Sequence, residues 1–183
     1  MKRLTLSLFL LLFANTAFAE AAFQFAAPNH QSPKDPIVNG VRLSVLHGVN
    51  ESVRGLDFGL LSLSETSNLS GLGLVLGVGK VTGEMTGAAI SLVNVHSGID
   101  SGLNAAFINR LNTTKSGTNI GFLNIADGST MVDVGGLNVS DRSTVQVGFL
   151  NVTDEIKGVQ IGFLNIAENG FFPVFPIFNF PKN

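Results

Sequence analysis

The chain has no cysteine, no tryptophan and no tyrosine, and its 183 residues include only 11 basic and 13 acidic side chains. Without cysteine there is no disulfide framework, zinc finger, cysteine-ligated cluster or thiol nucleophile. A formal charge of −2 offers nucleic acid no electrostatic footprint. What is plentiful is apolar surface and glycine: 45% of the residues are hydrophobic, with 21 Gly and 15 Phe. A mean hydropathy of +0.37 is high for a water-soluble globule, so a membrane or an unusually regular buried core must account for it.

The N-terminus reads Met1-Lys2-Arg3, then an apolar run from Leu4 to Phe13, then Ala17-Phe18-Ala19. A basic start, a short apolar stretch and a small-x-small site are the parts of an export signal, expected here to be cut after Ala19. The run falls short of the roughly 20 residues a membrane-spanning helix needs. Removing Lys2 and Arg3 leaves nine basic against 13 acidic residues, a charge of about −4. The expected location is the periplasm, the cell surface or the outer membrane, where a chain without thiols is at ease. Residues 20–39, with Pro28, Pro33 and Pro36, read as a linker or N-terminal cap.

From residue 40 to residue 169 the chain repeats itself. Nine units begin at Gly40, Gly55, Gly71, Gly87, Gly102, Gly117, Met131, Thr144 and Gly158, 13 to 16 residues apart. Gly158-Val159-Gln160-Ile161-Gly162-Phe163-Leu164-Asn165-Ile166-Ala167 is the clearest unit. Its second and fourth residues are apolar in most units, and the third is mostly polar: Arg42, Asp57, Asn104, Asn119, Asp133, Gln146 and Gln160. This is strand alternation with one face buried. It predicts the apolar columns inward and Asn104, Asn119, Asp133, Gln146 and Gln160 as an outward polar strip. The fifth column is small, and the sixth and seventh are both apolar (Phe122-Leu123, Phe149-Leu150, Phe163-Leu164), which predicts a corner with both side chains turned inward.

The eighth column holds asparagine in the last six units: Asn94, Asn109, Asn124, Asn138, Asn151 and Asn165. A parallel solenoid would stack these amides about 4.8 Å apart as a hydrogen-bonded ladder, whereas an antiparallel meander would scatter them to alternate strand ends. The expected fold is therefore all-β, a parallel β-solenoid of about nine 13–16-residue turns. The alternative is an antiparallel outer-membrane β-barrel of 8–10 strands, which suits the hydropathy but lacks the Trp and Tyr girdles of such barrels. Residues 170–183 abandon the repeat, and their interleaved Phe and Pro read as an aromatic cap over the last turn's open edge.

The GxxIGFLNIA units and the terminal Gly170-Phe171-Phe172-Pro173-Val174-Phe175-Pro176-Ile177-Phe178-Asn179-Phe180 resemble a family of exported bacterial surface-repeat proteins. That family has tandem GLQxGLxN units and a Phe/Pro-rich end. Ser62 and Val78 depart from it where Asn would stand. The resemblance implies export and repeat architecture and carries over no catalytic residue.

Reactive constellations are sparse. His30, His47 and His96 fall in the linker and in different columns, with no metal-ligand spacing, and read as surface or turn residues. Leu74 and Val81 stand where a phosphate-binding loop before Gly79-Lys80 would need Gly and Ser or Thr. Asp57 and Asp133 share a column but lie five units apart, about 24 Å at strand spacing, too far for paired-carboxylate hydrolysis. No catalytic residue, cofactor or metal site is expected. The leading expectation is an exported, non-enzymatic structural or binding scaffold of the bacterial cell envelope; the second is a small outer-membrane barrel acting as a pore or envelope structural protein. The partner is open between a cell-envelope component and another surface protein, with membrane association an option and nucleic acid excluded.

Overall fold

The computed structural model describes residues 20–182, so the expected export signal and its expected cleavage after Ala19 lie outside the described residues. Eight runs of strand make one sheet: β1 (Ala21–Ala27), β2 (His30–Ser32), β3 (Ile37–Val81), β4 (Glu84–His96), β5 (Ile99–Leu111), β6 (Thr113–Ala126), β7 (Ser129–Ala167) and β8 (Val174–Asn179). β3 and β7, 45 and 39 residues long, wind through several coils without a break. Successive coils pair in parallel with like columns in register: Gly87 beside Gly102 beside Gly117, and Asn94 beside Asn109 beside Asn124 beside Asn138. The chain is a parallel β-solenoid of about eight turns, not a barrel. A membrane barrel would need antiparallel neighbours.

The antiparallel pairings lie at the two ends of the stack. β2 folds back along β1, which pairs in parallel with β3, and β8 runs antiparallel along the last coil of β7. Each covers strand edge that would otherwise present free N–H and C=O groups to another chain. In the tail, Phe171 stacks on Phe180 and Phe172 on Phe175.

The direction of the alternation is the reverse of the sequence expectation. The third-column residues Asn104, Asn119, Asp133, Gln146 and Gln160 are buried, so no outward polar strip exists at these positions. The second and fourth columns face outward; Val41, Leu56, Phe58, Ile90, Ile120 and Ile161 are exposed. The corner at the sixth and seventh columns is present, but the sixth side chain turns outward, with Phe107 62% and Phe163 69% exposed, and the seventh, at Ile108, Leu123, Leu150 and Leu164, is half-buried. A convex bend gives its outer side chains room to splay, while its inner side is already filled. A Cβ on Gly148, in the fifth column, would meet the carbonyl of Gly135 and lie 2.6 Å from Asn138 Nδ2. The fifth column is small because the asparagine amides occupy the space its side chains would take.

The unit-opening glycines have a different cause. Gly102 has φ +139° and packs against the carbonyl of Gly87 one coil below, a position where a Cβ would collide with backbone. Most of the apolar interior lies on the side away from the corner. Val38, Val53, Leu69 and Met85 stack in one column, joined by Val81 and Ala89 in a buried cluster at the N-terminal end.

Candidate functional site

Two features are built by the coil geometry: a polar column system inside and an apolar, charge-free band outside. The interior ladder is continuous. Asn94 Nδ2 donates to Asn109 Oδ1 at 2.9 Å, and the same bond links Asn109 to Asn124, Asn124 to Asn138, Asn138 to Asn151 and Asn151 to Asn165, each at 2.8 Å. In the four middle members Nδ2 also donates to the carbonyl of the fourth residue of the next unit: Ile120, Val134, Val147 and Ile161. Each amide therefore staples the corner of the coil above it. The first Asn accepts from Ser91 Oγ at 2.6 Å, and the last donates to the Phe175 carbonyl of the tail. A ladder with both ends occupied meets the requirement that buried polar groups be paired.

The third column is a second, more varied ladder. Asn104 donates to Asn119 at 3.0 Å and Asn119 to Asp133 at 2.8 Å; Gln160 donates to Gln146 at 2.8 Å. Gln24 from β1 stands in register beneath Arg42, and Asn179 from β8 sits over Gln160, so both capping segments send an amide into the column. Asp133 also accepts from Thr130 Oγ1 and Ser143 Oγ at 2.5 and 3.2 Å. Burial raises its carboxyl above the usual 3.8, and these donors only partly offset that.

Near the N-terminal end the column carries charge. Arg42 Nη1 lies 3.3 Å from Asp57 Oδ2, which also accepts from Ser64 Oγ at 2.7 Å. Burial lowers the Arg42 guanidinium and raises the Asp57 carboxyl, each against the pull of its partner. Arg42 Nε and Nη2 and Asp57 Oδ1 have no partner among the described residues. Asp57 and Asp133 share a column, as the spacing required, but inside the coil. Above Asp57 the column narrows to Gly73 and Ala89, and these residues line a cavity of about 10 Å³ together with His96. Asn104, next to Ala89 in register, has an unpartnered Oδ1.

His96 corrects the surface reading of the histidines. It is buried, with Nδ1 2.8 Å from Asp100 Oδ2, and Asp100 in turn accepts from Asn104 Nδ2 at 2.9 Å. His30 and His47 are exposed. The His96–Asp100 pair was legible only as column membership: His96 shares its column with buried Leu111 and Ala126, and Asp100 with buried Met85 and Thr114.

Outside, charge and apolar surface are segregated. From residue 40 to residue 169, every outward Lys, Arg, Asp or Glu among the described residues falls at the ninth position of its unit or later. Over the first eight positions the only Lys, Arg, Asp or Glu are Arg42, Asp57 and Asp133, all buried; His47 is the one exposed titratable side chain there. At the band's border Lys80 pairs with Glu65 at 3.2 Å and Arg110 with Asp127 at 2.6 Å. Along the corner, Phe107 stacks on Phe122 at 5.3 Å and Phe149 on Phe163 at 4.9 Å between ring centres, nearly parallel.

No protein-family model, curated protein or solved structure matches the chain.

Proposed function

We propose that the protein is an exported, non-enzymatic scaffold of the bacterial cell envelope that holds an apolar surface in fixed register. The observation that carries this reading is the segregation of charge: outward Lys, Arg, Asp and Glu are confined to the last part of each unit, and the first part of every coil is free of them and mostly apolar. A coil that buries amides and exposes Val, Ile, Leu and Phe uses its alternation to support an outer surface. The acids that a hydrolase reading would need, Asp57 and Asp133, are buried within the coil and hydrogen-bonded there. The Lys2-Arg3 start and the Ala17-Phe18-Ala19 site support export.

The test is fractionation of cells expressing the full chain with a C-terminal epitope, combined with N-terminal sequencing of the product. The expected product begins at Glu20 and fractionates with the envelope. A chain retaining Met1 in the cytoplasm would overturn the reading.

A further inference from the structure

The band is too large and too shaped to be incidental. Eight residues at about 3.3 Å by about eight coils at about 4.8 Å amount to on the order of 1,000 Å². The largest apolar patch on an ordinary monomer is about half that. It also bends: the second and fourth columns form one wall, the half-buried seventh column begins another that ends at the ninth column, where Lys80 and Arg110 stand, and the phenylalanine row lies along the edge where the walls meet.

We infer that this band is seated in the acyl-chain region of a lipid surface, with the solenoid axis lying in the membrane plane and the charged side of each unit facing water. Three observations favour lipid over a second copy of the chain. The two walls are not coplanar, so a flat partner docked on one leaves the other in water, whereas a fluid phase covers both. Charge is arranged for a water boundary: Lys80 and Arg110 stand at the border with their acidic partners, and the remaining outward charges lie beyond it. The backbone meets most of the condition that lipid sets, because the walls pair coil to coil, β8 covers the last coil and β2 covers the Phe25–Ala27 stretch of the first. Polar-inside, apolar-outside alternation is what a lipid-facing β-structure requires. The depth is that of an interfacial element, with one side of the molecule immersed. The inference rests on the envelope reading only for which membrane the chain meets.

The absence of tryptophan makes the test direct. The mature chain, refolded from detergent, is mixed with phosphatidylcholine vesicles and floated on a density gradient. Two single-tryptophan variants report position: Phe122→Trp on the exposed edge of the band, and Lys115→Trp on the charged side. The expected result is flotation that persists in high salt. Phosphatidylcholine brominated on its acyl chains should quench Phe122→Trp severalfold more than Lys115→Trp. The quadruple change of Phe107, Phe122, Phe149 and Phe163 to Ser should remove most flotation while circular dichroism still reports β-structure; should that variant fail to fold, the tryptophan pair still decides. A chain that stays at the bottom of the gradient, or equal quenching at the two positions, overturns the inference. So does a stable oligomer that does not float, which would assign the band to copies of the chain. An envelope-located chain that does not float sinks this inference alone, and a cytoplasmic chain that floats sinks only the envelope reading.

Discussion

Asn109 and Asn124 stand 15 residues apart in the chain and one coil apart in the stack, with Nδ2 of the first 2.8 Å from Oδ1 of the second. The same amide nitrogen reaches the Ile120 carbonyl at 2.9 Å, so one side chain both continues the ladder and holds the neighbouring corner.

Removing a middle rung should therefore cost more than one hydrogen bond. Asn124→Ala leaves Asn109 Nδ2 short of an acceptor, and Asn138 Oδ1 and the Val134 carbonyl short of a donor. A loss of about 2–3 kcal/mol is expected in denaturant unfolding. Asn124→Asp should be worse at neutral pH, because a carboxylate accepts from Asn109 but has nothing to donate to Asn138. A cost below half a kcal/mol, measured against wild type in the same denaturant series, would show that the rungs are independent.

The unpartnered Asn104 Oδ1 can be supplied from below. Ala89 stands in register with Asn104, and in this part of the ladder the lower Nδ2 donates upward, Asn104 to Asn119 and Asn119 to Asp133. Ala89→Asn should extend it by one rung into the small cavity that Ala89 lines, raising stability by about 1 kcal/mol. Thermal unfolding checks this: a lower Tm would mean that the cavity cannot take an amide.

Asp133 makes stability depend on pH. Its folded-state carboxyl is raised by burial, so the folded chain binds its proton more tightly than the unfolded chain. The contribution is fully present below the ordinary value of 3.8 and is lost as pH rises through the raised value. Asp133→Asn removes the charge while Thr130 and Ser143 can turn their hydroxyls to accept. The variant is expected to be at least as stable as wild type at neutral pH, with a flatter stability profile through the acid range. Equal pH profiles for the two proteins would refute the assignment.

Asp57→Ala would leave Arg42 buried without its counter-charge, for a loss of about 3–5 kcal/mol. The double variant Arg42→Met with Asp57→Leu should recover most of that loss, since a buried pair replaced by apolar groups of similar volume is near neutral. A double-mutant cycle on urea unfolding provides the comparison, and a double variant as unstable as Asp57→Ala would count against it.

Gly102→Ala combines a positive φ with a clash against the Gly87 carbonyl. The expected cost is about 3 kcal/mol or more, far above the roughly 1 kcal/mol gain the change brings where φ is compatible. Proteolysis under native conditions should then cut between the coils that residues 87 and 102 open.

The repeat made much of this fold legible in advance. The unit-opening glycines, the corner beside the fifth column and the asparagine ladder follow from reading columns, because each column samples one environment many times. The His96–Asp100 pair did not follow, since its two residues replace apolar or hydroxyl residues in their columns and no local spacing marks them.

By itself the sequence determined the period, the stack and the register of the coils that carry the asparagine column, though not of the third unit, where a shift puts Gly79 rather than Val78 beside Asn94: a column of identical amides has a partner only when like residues lie one strand spacing apart. The tertiary structure alone decided which side is inside. Alternation with period two defines two faces and is unchanged when they are exchanged, so Val159, Gln160 and Ile161 look the same wound either way. The winding that encloses Gln160 and Asn165 lets every coil hydrogen-bond its amides to the next, and it leaves the aliphatic and phenylalanine columns outside. That choice is summed over all the coils and their caps, and no single unit contains it.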